Sequence, residues 1–216
     1  MKQILITGIP RSGTSIVAEI ISLCGIQGGQ VNSMFENIYI QKYLHTLLKA
    51  NRCDRNGHYP LPDIIDIPNI IKIHIEAIQR EQEIIGDWYY KDSRITALCR
   101  PFTKIFPKAE YIIVRRNEDG IIKSCENTGY MDTFYNREIL HRLGLENTRD
   151  GWRYMIEEYL KRFEWLKKEV KVTEIWLEDN KNAKYTIPYL MTRTGISIDK
   201  ETYKKIYTLI DKKIKV

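Results

Sequence analysis

Long apolar runs are missing from this chain of 216 residues. A bilayer-crossing helix needs roughly 20 consecutive apolar residues. The start of the chain offers only Ile4-Leu5-Ile6 behind one lysine, Lys2, so neither a membrane span nor a secretory leader is expected. Cysteine is scarce too. Cys24, Cys53, Cys99 and Cys125 are scattered, with no CxxC pair and no histidine at ligand spacing. That pattern excludes a disulfide framework and a zinc site, and fits reduced thiols in a cytoplasmic protein. Repeats and low-complexity tracts are absent. Neither sign of charge dominates: 34 Lys+Arg stand against 28 Asp+Glu, a formal charge of +6. The excess lies largely in Lys200, Lys204, Lys205, Lys212, Lys213 and Lys215, which reads as the solvated face of a last helix rather than a nucleic-acid or membrane surface. With 43% hydrophobic residues, the chain can bury one core, and a single domain over 1–216 is expected.

What is present starts almost at once. Ile4 to Ile6 form a short apolar strand, Thr7 to Ser15 a Gly/Ser/Thr-rich turn, and Ile16 to Leu23 a helical pattern stopped by Gly25. A strand feeding such a turn into a helix builds an anion cradle. The N–H groups of the first helical turn have no intrahelical acceptor, and the helix dipole favours negative charge beside them. The spacing Gly8-x4-Gly13 matches a P-loop, with Ser15 at its hydroxyl position, but Thr14 stands where an ATP- or GTP-binding loop has lysine. The loop's cation is Arg11 instead.

A second candidate site follows a buried strand, Glu110-Tyr111-Ile112-Ile113-Val114, which ends in Arg115-Arg116. Ser124 lies eight residues past Arg116, two turns into the next helix. An arginine at a strand end and such a serine can converge on one phosphate; the spacing favours Arg116, with Arg115 the alternative. A third segment, Trp88-Tyr89-Tyr90-Lys91, reads as a strand ending in lysine.

Strands near 3–7, 87–91, 110–114 and 172–177 alternate with helical patterns. Met34 to Leu48 has helical composition. Asn51 to Pro62 reads as a loop. Ile67, Ile70, Ile71, Ile75 and Ile78 recur at helical spacing after the start signals Asp66 and Pro68. Thr96 to Phe106 is a further helix, and Trp152, Met155, Ile156, Tyr159, Phe163 and Leu166 trace an amphipathic stripe. The expected fold is α/β, a three-layer P-loop arrangement with a mostly parallel central sheet flanked by helices. Ligands then lie across the C-terminal strand edge, where Gly8–Ser15, Lys91 and Arg116 all fall. Residues 126–150 lack periodicity and are read as a lid or acceptor-binding segment.

Pro10-Arg11-Ser12-Gly13-Thr14-Ser15 resembles the 5′-phosphosulfate loop of the P-loop sulfotransferases, which use 3′-phosphoadenosine 5′-phosphosulfate (PAPS). The Arg116/Ser124 pair is similar to that family's 3′-phosphate ligands, although Asn117-Glu118-Asp119 stands where Asp-Pro-Arg is commonest. Lys91-Asp92-Ser93 resembles the family's strand-end Lys-x-Pro segment, and 172–179 its last strand. The resemblance covers about residues 3–180.

It implies sulfuryl transfer from PAPS to a hydroxyl of a glycan or small-molecule acceptor, leaving adenosine 3′,5′-bisphosphate. Arg11, Ser12, Gly13, Thr14, Ser15, Arg116 and Ser124 would hold the donor, and Arg11 and Lys91 would neutralise charge on the leaving 5′-phosphate. No metal is expected, since a sulfuryl group carries less charge than a γ-phosphoryl. The family's base is a glutamate after the first helix or a histidine. Glu36, 25 residues past Arg11, resembles the first arrangement, and His58, in a loop, is the alternative. His45, His74 and His141 sit in helical patterns and read as surface or packing residues. Two other classes remain open: a P-loop nucleotide kinase or NTPase, which Thr14 opposes, and a nucleotide-binding protein without catalysis.

Overall fold

The computed structural model describes residues 2–59, 61–62, 65–129, 132–178 and 180–214. Pro60, Tyr130, Asp179 and Lys215, each part of a segment read above, lie outside them.

Four strands form the sheet: β1 (Gln3–Gly8), β2 (Trp88–Lys91), β3 (Glu110–Arg115) and β4 (Val172–Trp176). Their order is β2-β1-β3-β4 and every pairing is parallel, with Ile6 opposite Lys91 and Ile112. A parallel sheet covered on both faces favours β-branched runs without alternation in polarity, which is how β1 and β3 read. The pleat then sorts neighbours to opposite sides. Ile4, Ile6, Ile112 and Val114 pack with α1 (Thr14–Leu23), α9 (Asn180–Thr194) and α10 (Lys200–Lys213). Leu5, Tyr90, Tyr111 and Ile113 pack on the other face with α2 (Ile38–Ala50), α3 (Pro68–Glu81), α5 (Cys99–Ile105), α6 (Glu118–Thr128) and α8 (Thr148–Glu169). The whole stripe from Trp152 to Leu166 is buried there. The fold is therefore a helix–sheet–helix α/β architecture of the expected class.

Three boundaries differ from the sequence reading. The helix expected from Met34 begins at Ile38, because Phe35 has a left-handed backbone (φ 60°) and Asn37 caps the helix by accepting from the N–H groups of Tyr39 and Ile40. Asp66 does not start α3: its carboxylate accepts from Lys104 at 2.6 Å, Ile67 is the cap residue and Pro68 opens the helix. The helix expected over Thr96–Phe106 is two, α4 (Arg94–Ala97) and α5, broken at Leu98. Pro101 explains the break. Proline has no N–H to donate and fits best in a first helical turn, where a restart at Cys99 puts it.

Residues 126–150, expected to be aperiodic, contain the end of α6, a 3-10 turn (Asp132–Tyr135), α7 (Arg137–Leu143) and the start of α8. Phe134 of this segment is fully buried. Among the described residues no helix is long and apolar enough to cross a membrane.

Candidate functional site

The turn between β1 and α1 is closed by Ser12 N–H donating to the Ile9 carbonyl at 3.0 Å. Its backbone is unusual at two places: Gly13, the cap residue of α1, has φ 99°, and Arg11 has φ 73°. Gly13 suits the left-handed region, whereas a side chain there costs of order 1 kcal/mol, so Arg11 is held by its surroundings. A side chain at Gly8 would put its Cβ 2.6 Å from both the Ser12 hydroxyl and the Val114 carbonyl. The loop is thus pressed against β3. The N–H groups of Thr14 and Ser15 open α1 with no acceptor inside the helix. Ser12 Oγ is buried and has no hydrogen-bond partner among the described residues.

Asn117 resolves the second turn: its side chain accepts from Gly120 N–H at 2.6 Å and caps α6, as an aspartate at that position would. Ser124, two turns in, then faces the loop. Arg11 Nε donates to Ser124 Oγ at 2.9 Å, and Arg116 Nη1 lies 3.4 Å from the Arg11 carbonyl. The two phosphate-type motifs, about 110 residues apart in sequence, thus touch each other. Arg115 goes elsewhere. It pairs with Glu174 at 2.6 Å and stacks over the Trp176 ring at 4.8 Å.

One cavity of about 650 Å³ is lined by Arg11, Gly13, Thr14, Ser15, Arg116 and Ser124 and extends to Glu36, Lys91 and His58. The candidate residues from the sequence border it except Ser12, whose side chain is buried within the loop, and the alternative Arg115, which is turned to β4. Glu36 is not on a helix but on the turn before Asn37, and it meets Lys91 directly: Lys91 Nζ donates to Glu36 Oε1 at 2.9 Å. Glu36 Oε2 accepts from Asn32 at 3.2 Å and from Gln41, with Arg94 Nη2 at 3.8 Å. Both partners of the Lys91–Glu36 pair are largely buried, at 5% and 13% side-chain exposure.

Sequence reasoning missed Arg94, Gln41, Arg55 and Lys213, which also line the cavity. Arg94 had a signal. Asp92-x-Arg94 after a strand end lets one carboxylate take the Arg94 N–H at 2.9 Å and its guanidinium at 2.7 Å twice. Burial alone would push Asp92 up, but Arg94 and the Tyr90 hydroxyl more than offset it and hold the carboxyl below its usual range. Lys213, on α10, had none: it reaches the cavity by bonding Glu19 of α1.

His45, read as a packing residue, borders the cavity as well; His74 stacks on Tyr43 at 4.3 Å and His141 is exposed. Burial pushes the Cys24 and Cys125 thiols up to about 11, so neither is a thiolate at neutral pH. Among the described residues no group of three or more His, Cys, Asp or Glu is placed to hold a metal ion.

Burial also pushes His58 down to about 4, against the pull of Asp54, whose Oδ2 lies 3.6 Å from Nδ1. The unfolded histidine takes its proton near 6.5. Between those values the unfolded chain binds more protons, so stability is full above about 6.5 and is lost as pH falls toward 4. We expect urea unfolding at pH 5 to show on the order of 2 kcal/mol less stability than at pH 7 from His58. His45, also lowered to about 4 mainly by burial, adds a smaller, solvent-screened share. His58→Gln should flatten this limb; an unchanged slope in that variant would put the titration elsewhere.

Comparison with solved structures places the architecture. A Mycobacterium avium sulfotransferase superposes on 100% of this chain and 69% of its own, with a TM-score of 0.64 and 10% identity. A Mycobacterium tuberculosis sulfotransferase does so over 96% of this chain and 70% of its own, at 0.56 and 11%. The fold is sulfotransferase-like. A deoxyadenosine kinase from M. mycoides with bound dATP aligns more loosely, at 0.46 and 12% identity over 89% of this chain and 99% of its own. No family model and no curated protein sequence matches the chain.

The residues present fit a ligand with anionic groups at two points. The loop offers first-turn N–H groups and the Thr14 and Ser15 side chains on the cavity wall, above a Ser12 hydroxyl that has no partner among the described residues. Arg116, Ser124 and Arg11 offer charged and hydroxyl donors beside it.

Proposed function

We propose that residues 1–216 act as one PAPS-dependent sulfotransferase domain, moving a sulfuryl group to a hydroxyl of a glycan or small-molecule acceptor. The observation that carries this reading is the joining of two anion-binding motifs, Arg11–Ser15 and Arg116/Ser124, on one cavity wall next to a buried Lys91–Glu36 pair. A loop without the P-loop lysine suits a donor whose second anion is a 3′-phosphate rather than a γ-phosphate. The free cysteines suit the cytoplasm.

In this reading, PAPS supplies the sulfuryl group, and the chain supplies position and charge. The loop N–H groups with Thr14 and Ser15 hold the 5′ end, Ser12 shapes the loop from within, and Arg116 and Ser124 hold the 3′-phosphate. Lys91 and Arg11 face the 5′-phosphate oxygen that takes the electron pair as its bond to sulfur breaks. Glu36 accepts the proton of the acceptor hydroxyl as the new oxygen–sulfur bond forms; its Oε1 keeps a lone pair beyond the hydrogen bond from Lys91.

A ligand that binds only the folded state raises the melting temperature. Adenosine 3′,5′-bisphosphate should therefore stabilise the protein clearly more than AMP without added magnesium. Arg116→Ala should abolish most of that difference, since it removes a charge-assisted contact to one phosphate only. Equal shifts for the two nucleotides, or a larger one with Mg-ATP, would overturn the reading in favour of a kinase or NTPase. Selective bisphosphate binding without transfer to any hydroxyl would leave a nucleotide-binding protein.

A further inference from the structure

The cavity is lined by six cations, Arg11, Arg55, Lys91, Arg94, Arg116 and Lys213, and by one carboxylate, Glu36. Most of these charges are committed. Arg94 is locked to Asp92, Lys91 to Glu36, and Lys213 to Glu19. Arg11 and Arg116 belong to the two joined anion motifs, with Ser124 and Cys125 as their neighbours.

Arg55 stands apart from all of them. It is exposed at the cavity edge and has no ion-pair or hydrogen-bond partner among the described residues. Its acidic neighbour in sequence, Asp54, is turned away into its own turn, accepting the N–H groups of Asn56 at 3.2 Å and His58 at 3.1 Å. The turn that carries Arg55 is anchored away from the β1–α1 loop: the Tyr159 hydroxyl donates to the Gly57 carbonyl at 3.0 Å, and a Cβ at Gly57 would lie 3.3 Å from Ala97 and Arg94. Arg55 is therefore on the opposite half of the cavity from the donor motifs, with Asn56, His45, His58 and Gln41, and the Lys91–Glu36 pair lies at the join.

We propose that this half binds an acceptor that is itself anionic, and that Arg55 receives its oxyanion, a carboxylate in the simplest case. A guanidinium presents a fixed fork of donors that matches a carboxylate in two parallel hydrogen bonds. Asn56, next to it in sequence, and Gln41, which lines the same cavity beside Glu36, are neutral side chains suited to hydroxyls. Asp92 in this half is neutralised by Arg94, and Asp54 is turned onto the N–H groups of its own turn, away from Arg55. The proposal deepens the sulfotransferase reading and rests on it for the word acceptor, but the binding of an anion at Arg55 is separable from the donor.

The test measures affinity, not turnover. p-Nitrophenyl β-glucuronide and p-nitrophenyl β-glucoside differ only by a carboxylate, and each is titrated calorimetrically into the full chain with and without saturating adenosine 3′,5′-bisphosphate. The glucuronide should bind about five- to tenfold more tightly, the scale of one charge-assisted contact at a partly exposed site. Arg55→Ala should erase the difference and Arg55→Lys should restore part of it, with bisphosphate affinity unchanged in both. Equal affinities, including no measurable binding of either sugar, would overturn the proposal, as would a preference that survives Arg55→Ala. Failure of the bisphosphate to bind, with the glucuronide preference intact, would instead count against the donor assignment alone.

Discussion

Exchanging Glu36 for glutamine is expected to lower kcat by roughly a hundredfold or more, the scale of general-base catalysis. Binding of adenosine 3′,5′-bisphosphate should survive nearly unchanged. Glutamine keeps the shape and one carbonyl acceptor for Lys91 but has no basic oxygen. The environment makes the experiment sharper than a bare substitution. Lys91 is 5% exposed at its side chain and loses its counter-charge in the variant, so some loss of stability accompanies the loss of rate. The pH profile separates the two roles. If Glu36 takes the proton, the low-pH limb of kcat disappears in Glu36→Gln. If Glu36 only holds Lys91 in place, the limb remains, and Lys91→Met should then reproduce the rate loss while the double variant adds nothing further. Retention of both the rate and the limb would remove Glu36 from the chemistry and turn attention to His58, which is neutral near pH 7 because burial lowers it to about 4.

The largest effect on stability should come from Asp92→Ala. Asp92 is wholly buried and Arg94 is 4% exposed. Removing the carboxylate strands a guanidinium that otherwise makes two 2.7 Å bonds to it. Breaking a buried pair from one side costs about 3–5 kcal/mol, which for a chain of this length lowers the melting temperature by roughly 10 °C. Removing both charges in Asp92→Ala/Arg94→Met should recover much of that loss, since the expensive species is the unpaired ion and not the missing bond. A single variant as stable as the parent would mean that Arg94 finds water or Glu36, whose Oε2 lies 3.8 Å from Nη2.

The sheet was readable because its signal is local. Buried parallel strands are continuous runs such as Ile4–Ile6 and Tyr111–Val114, bounded by turns, and all four observed strands lie within a residue or two of their expected limits. The fold class follows from the alternation of these runs with helical patterns. The candidate site was readable for a related reason: in such a sheet the residues just past the strand ends share one edge, so Gly8–Ser15, Lys91 and Arg116 had to be neighbours.

Contacts made by irregular backbone were not readable. The meeting of Glu36 and Lys91 depends on the turn in which Asn32 Oδ1 accepts the N–H groups of Met34 and Glu36, and composition suggested a helix there. Positive φ at Phe35 has no sequence signature, because the residue is neither glycine nor asparagine. Lys213 reaches the cavity only through the packing of α10 on α1, a contact set by the tertiary fold.

Arg115 and Arg116 lie side by side in sequence yet serve opposite walls. One is clamped by Glu174 and the Trp176 ring, and the other borders the cavity. This division of labour makes the segment intolerant of frame. A one-residue deletion between Tyr111 and Val114 would leave the local composition almost intact while exchanging the two faces of the strand. It would carry Arg115 out of its clamp and set Arg116 against Glu174 and Trp176 in its place. Chain length over this short span is thus as much a determinant of the site as the identity of either arginine.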